Sequence, residues 1–195
     1  MIYFIILGCI VLLFGAVVFR GAPYVPTLRR SVSDALDLLN LKHDALVIDL
    51  GSGDGSVLKA AARRGYRALG YEINPVLYLI AKLRCLPQKS RVTVRLRDFW
   101  LADWPNDAQA VFVFLAGPHM KHLARKLKKE MTTRRDPLFV VSYGFAIPGH
   151  LPKKISRGMY LYELKPTALP DDHGPVWNPP LPRPKLPIPK LWRRK

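Results

Sequence analysis

Three glycines within five residues, Gly51, Gly53 and Gly55, separate an apolar β-branched run from a helical one, and no other stretch restricts the possible folds as much. ALVIDL (Ala45 to Leu50) reads as a short buried strand, and SVLKAAARR (Ser56 to Arg64) reads as a helix stopped by Gly65. A strand, a glycine turn and a helix in that order form a ligand cradle. Glycines let the backbone turn sharply and let a ligand come close to it, and the helix N-terminus offers N–H groups with no partner inside the helix.

Two ligand classes use such a cradle. The dinucleotide fingerprint G-x-G-x-x-G needs a third glycine where this chain has Ser56. Asp49, just before the turn, also suits a cation better than a pyrophosphate. S-Adenosylmethionine carries an α-ammonium and a sulfonium and no phosphate, so Asp49 is expected to anchor its methionine end, directly or through water. Gly51, Ser52, Gly53 and Gly55 would then form the turn around it. Glu72, which ends the second strand RALGYE (Arg67 to Glu72), is placed to accept hydrogen bonds from both ribose hydroxyls. Asp98, ending the third strand, suits an adenine N6 acceptor, or else caps the turn that begins Phe99-Trp100. Ile73 and Phe99 are candidates to sandwich the adenine ring, with core packing as the alternative for each.

Further along, Asn74 caps and Pro75 opens a helix running to about Arg84. RVTVRLR (Arg91 to Arg97) alternates with period two, and QAVFVFLA (Gln109 to Ala116) is strand-like. A helix follows with Met120, Leu123, Leu127 and Met131 on one face, then a fifth strand, LFVVSY (Leu138 to Tyr143). MYLYEL (Met159 to Leu164) comes with no intervening helix, so it is expected to run antiparallel. Alternating strands and helices predict a mostly parallel Rossmann-like α/β sheet with helices on both faces and an antiparallel last strand.

The ends differ from this middle. Residues 1–19 contain the uncharged run Ile2 to Phe19, which approaches the roughly 30 Å hydrocarbon core at about 1.5 Å per residue, so one transmembrane helix is expected to precede the domain. A cleaved signal peptide needs a positively charged start, which this run lacks. Arg20, Arg29 and Arg30 follow it, and the positive-inside tendency then places the remainder in the cytoplasm. Residues 20–44 form a linker with Pro23 and Pro26 and a short amphipathic helix through Val32, Ala35, Leu36 and Leu39, and residues 45–165 form the domain. Residues 166–195 hold nine of the 18 prolines and a net charge of +4, a composition for extended chain without a core. The formal charge of +17 attracts anionic surfaces, whether phospholipid or nucleic acid. The basic helix around Lys121 to Lys129 and the tail are candidates for such an attraction to lipid. Cys9 and Cys85 fit neither a disulfide framework nor a metal site.

PYVPT (Pro23 to Thr27), VIDLGSGDG (Val47 to Gly55), GYEINP (Gly70 to Pro75), Asp98-Phe99-Trp100 and Gly117-Pro118-His119-Met120 together resemble the membrane-anchored class I (seven-β-strand) protein-lysine N-methyltransferases. That family includes the enzymes modifying the adenine nucleotide translocase and the c-ring protein of ATP synthase. The resemblance runs from the apolar segment to about Tyr143 and leaves out the proline-rich tail. It implies S-adenosyl-L-methionine as cofactor and a membrane protein's lysine as acceptor.

Methyl transfer to an amine is an in-line displacement, so a neutral nitrogen must be held opposite the sulfur. A free lysine, with a pKa near ~10.4, has to lose its proton first. Trp100, Phe114, Tyr143 and Phe145 lie near strand ends and are candidates to line a lysine channel, with core packing as the alternative. His119 is the one candidate base, and no catalytic residue is assigned. The fourth strand ends Leu115-Ala116-Gly117-Pro118, without the Asn/Asp-Pro-Pro-aromatic signature of many amide and adenine N-methyltransferases, which counts against nucleic acid as substrate. The positive charge counts against a basic peptide unless a membrane or an acidic substrate surface offsets it. A small-molecule or lipid methyltransferase, and a non-enzymatic membrane-tethered binder, are the other readings.

Overall fold

The computed structural model describes residues 1–4, 8 and 29–167. The expected anchor, apart from those first few residues, and the tail beyond Thr167 lie outside the described residues. Among the described residues no helix is long and apolar enough to cross a membrane.

In chain order the elements are α1 (Arg29–Leu39), β1 (Leu46–Leu50), α2 (Ser56–Arg63), β2 (Arg67–Glu72), α3 (Pro75–Cys85), β3 (Val92–Leu96), β4 (Ala108–Val113), α4 (Met120–Thr133), β5 (Leu138–Tyr143), β6 (Lys154–Ser156) and β7 (Met159–Leu164). They build one seven-stranded sheet in the order β3-β2-β1-β4-β5-β7-β6. The first five strands are parallel, and β7 runs antiparallel between β5 and β6. The chain winds outward from β1 to β3, then returns to β4 and winds the other way. Open α/β sheets bind ligands where the order reverses, outside the carboxyl ends of the strands. Here that crevice lies between β1 and β4.

The central strands are buried on both faces, which is why β1 and β4 read as nearly continuous apolar runs. On one face Ile48, Leu50, Val111 and Val113 pack with Leu123 and Leu127 of α4. On the other, Val47, Ala110 and Phe112 pack with Leu36 of α1 and Leu58 and Ala61 of α2.

Three boundaries differ from expectation. β4 stops at Val113, short of Ala116, because Gly117–His119 closes into a 3₁₀ turn with Pro118 inside it. β3 loses Arg91 and Arg97, one residue at each end, as an edge strand. The short strand β6 has no counterpart among the expected elements. It pairs with β7 through a two-residue turn in which Arg157 and Gly158 both have positive φ, 48° and 80°, the conformation that matches hairpin twist. Only Gly158 marks that turn in the sequence.

Candidate functional site

β1 delivers Asp49 and β2 delivers Glu72 to the same end of the sheet, beside the glycine turn. The N–H groups of Gly51 and Ser52 both donate to the Tyr71 carbonyl, at 3.0 and 2.9 Å, and Gly55 N–H donates to Ser52 O at 2.8 Å. The turn is therefore stitched to β2. Gly51, Gly53 and Gly55 have φ of 87°, 52° and 77°, a region that L side chains adopt only with strain.

The glycines do not share one role. A Cβ at Gly51 would meet nothing within 4 Å, so that position opens onto free space where a ligand can approach. A Cβ at Gly55 would lie 3.0 Å from Cys85 Sγ and 3.2 Å from Ala81 Cα, so Gly55 is small to let α3 pack and to start α2. Gly53 presents its N–H to Glu72 Oε2 at 2.7 Å. Glu72 Oε1 accepts from Asn74 N–H at 2.8 Å. Each Glu72 oxygen thus holds one backbone donor, and a carboxylate has about four lone-pair sites in all, which leaves acceptor capacity for hydroxyls.

Asp49 is 3% exposed, and its Oδ2 has no hydrogen-bond partner. Burial, and then the negative charge of Glu72, push its carboxyl up to about 8. A buried acid with no partner is costly unless a ligand completes it. Ser52, 5% exposed, also has an unpartnered Oγ, lying against Gly70. An unsatisfied carboxyl, an open glycine and a ribose-type acceptor at one strand edge fit the methionine and ribose groups of S-adenosylmethionine.

Two further residues join the site without having been candidates from the sequence. Asn74 reads in sequence as a helix cap, and its Oδ1 does accept from Val76 and Leu77 N–H, at 2.9 and 3.2 Å. It also steadies Glu72, and its buried Nδ2 is unpartnered. Asp54 accepts from Ser56 N–H at 3.1 Å and pairs with Arg84. Neither role has a signature beyond residue type.

Asp98 Oδ1 accepts from Trp100 N–H at 2.9 Å, so it caps its turn, the alternative expected for it. Phe99 is 9% exposed and belongs to the core, whereas Ile73 is half-buried and lies outside both core clusters.

The four aromatic candidates separate into two groups flanking Gly117-Pro118. Trp100 stacks on His122 at 4.1 Å and an interplanar angle of 4°, with His119 at 6.5 Å. Phe114 and Tyr143 lie 5.0 Å apart, Ser31 Oγ donates to Tyr143 Oη at 3.4 Å, and Phe145 sits over Gly117. Trp100, Phe114 and Tyr143 are half-buried and Phe145 is exposed, so none belongs to the fully buried core. His122 has no distinguishing sequence signal, because its stack depends on α4 returning over the turn after β3. No group of His, Cys, Asp or Glu among the described residues could hold a metal ion.

Known proteins carry the same framework. An RNA methyltransferase from Salinibacter ruber, solved with S-adenosyl-L-homocysteine, superposes with a TM-score of 0.66 at 28% identity, covering 76% of this chain and 98% of that one. The protein-lysine N-methyltransferase of Saccharolobus islandicus is 31% identical over 69% of this chain and 84% of its own length. The Xenopus laevis lysine N-methyltransferase named for the ATP synthase c-ring protein is 31% identical over 68% of this chain and 58% of its own. The adenine nucleotide translocase lysine N-methyltransferase of Mus musculus is 36% identical over 65% of this chain and 54% of its own. The chain thus spans little more than half the length of these two animal relatives. The family described as the ANTKMT methyltransferase domain matches residues 49–154, more than half of the chain. With this class I methyltransferase sheet and that match, the chain belongs to the ANTKMT methyltransferase domain family.

Proposed function

We propose that this protein transfers a methyl group from S-adenosylmethionine to a lysine amine of an integral membrane protein. The observation that carries the cofactor is the buried, unpartnered Asp49 carboxyl beside Glu72 and the open Gly51 turn. Bound S-adenosylmethionine supplies an electrophilic methyl carbon on its sulfonium. Asp49 holds the α-ammonium, Glu72 accepts from the ribose hydroxyls, and Ile73 and Phe99 flank the adenine, with Asp98 at its amino group.

The acceptor side is the gap between the two aromatic groups at Gly117-Pro118. Aromatic faces attract a passing alkylammonium, and the half-buried surroundings favour its neutral form over its charged one. The family's relatives named as lysine methyltransferases support this acceptor, as does the missing Asn/Asp-Pro-Pro-aromatic signature at Leu115-Ala116-Gly117-Pro118. The apolar run Ile2 to Phe19 anchors the protein with its catalytic domain on the cytoplasmic side, and the eight-residue linker 20–27 reaches at most about 26–29 Å. Acceptors are therefore juxtamembrane lysines.

Incubating native membranes and total RNA with the enzyme and methyl-labelled S-adenosylmethionine tests the reading. Label is expected on lysine of an integral membrane protein. Label confined to RNA, to extracted lipid or to a small metabolite would overturn it.

A further inference from the structure

α3 is apolar on both of its sides. Leu77, Ala81 and Cys85 are buried against the sheet and α2. On the outside, Val76 is 40% exposed, Leu79 58%, Ile80 38% and Leu83 65%, and Leu86 just after the helix is 55% exposed. Positions 76, 79, 80 and 83 follow the i, i+3, i+4, i+7 spacing that makes one continuous helical stripe. At the end of the neighbouring edge strand, Leu96 adds a further 51% exposed side chain. A helix that is hydrophobic all round is ordinarily covered on all sides. Clustered side chains of this size are not the scattered surface leucines of an ordinary protein.

The rim of this patch has one sign. From Ile73 to Arg97 the chain carries Lys82, Arg84, Lys89, Arg91, Arg95 and Arg97 and no Asp or Glu. Asp54 and Asp44 engage Arg84 and Arg91, while Lys82, Lys89, Arg95 and Arg97 are exposed. A second copy of the chain would bring these like charges together. An apolar stripe between cations is the composition of a helix lying in an anionic bilayer interface.

α3 begins three residues after Glu72, at the same carboxyl end of the sheet where Ser31 near the start of α1 meets Tyr143. The surface, the cofactor cradle and the chain leading from the apolar N-terminal run therefore share one end of the domain. By contrast, the exposed positions of α4 are Lys121, His122, Arg125, Lys128, Lys129, Thr132 and Thr133, with no large apolar side chain among them. α4 lies on the opposite face of the sheet, so this basic helix has charge without an insertable stripe.

We infer that the outer face of α3, through Val76, Leu79, Ile80, Leu83 and Leu86, beds into an anionic membrane surface and sets the orientation of the domain on the bilayer.

The full chain with Cys9→Ser, reconstituted into phosphatidylcholine vesicles containing phosphatidylglycerol, takes nitroxide labels at Leu79→Cys or Leu83→Cys, with Thr132→Cys on α4 as reference. Cys85 is buried and stays unlabelled. At positions 79 and 83 the ratio of collisions with oxygen to collisions with a water-soluble nickel chelate is expected to be about tenfold above that at 132. Introducing Leu79→Glu with a label at Leu83→Cys should return that ratio to the reference value while leaving the fold, an exposed site having been changed, as it was. Equal aqueous accessibility at 83 and 132 overturns the inference, as does lipid contact at 132 alone. Spin–spin broadening between labels at 83 means a second copy covers the face, which also overturns it. Contact that is just as strong on purely neutral vesicles overturns the anionic part. The measurement involves neither cofactor nor methyl transfer, so its outcome is distinguishable from that of the proposed reaction.

Discussion

Asp49→Asn separates electrostatics from shape at the cofactor cradle. In the ligand-free protein, burial and Glu72 hold the Asp49 carboxyl up at about 8, so at neutral pH it is mostly protonated. An α-ammonium placed against Oδ2 stabilises the carboxylate, and binding must then release the proton. With an affinity that scales with the ionised fraction, the association constant rises about tenfold between pH 6 and pH 7, or about 1.4 kcal/mol. At pH 7 close to one proton is released per cofactor bound. Calorimetry in buffers of different ionisation heat reads that number directly. Asp49→Asn should bind more weakly at pH 7 and show no such slope. The same shift has a consequence for stability. A carboxyl raised in the folded state gives its full contribution below about pH 4, and that contribution is lost as pH rises towards about 8. The ligand-free protein should therefore lose thermal stability across that window, and Asp49→Asn should remove this part of the loss, worth roughly 2–4 kcal/mol at pH 7. A wild-type affinity that is flat between pH 6 and pH 7, with no proton released, would refute the reasoning.

Gly70→Ala places a Cβ 2.5 Å from Leu58 Cδ1 and 2.7 Å from Ser52 Cβ; a loss of about 1–3 kcal/mol in urea unfolding is expected, as for overpacked cores, and an unchanged midpoint would contradict it. Glu72→Ala removes the acceptor for Gly53 and Asn74 N–H as well as for ribose, so cofactor affinity should fall by at least roughly 1–3 kcal/mol; titration calorimetry checks this, and equal affinity would remove Glu72 from the site. Deleting residues 1–19 should leave cofactor affinity within about twofold while strongly reducing modification of the native acceptor in membranes, as expected when tethering raises effective concentration. Equal modification at equal enzyme concentration would mean that proximity plays no part.

What can be read from the linear chain is whatever repeats locally. Apolar runs of strand length, helical spacing and the glycine turn place β1, β2, β5, β7 and the helices, because each is decided by neighbours within a few residues. The same is true of Asp49, Glu72 and the glycines, whose neighbourhood follows from adjacent strands of a parallel sheet. The antiparallel direction of β7 also follows, since no helix is available to carry a crossover. Tertiary structure alone decides the rest. Gly55 faces Cys85 and Ala81 across 26 or more residues of chain, so its packing role has no local sign. Trp100 and His122 meet only because α4 returns over the turn after β3. Phe99 is drawn into the core while Ile73 stays outside it, although both side chains are strongly apolar in sequence. Leu79 and Leu83 read as ordinary core leucines in an apolar helix. Only the position of α3 at the sheet margin leaves them facing outward, because β3 is the edge strand and, among the described residues, no further helix packs beyond it to cover them.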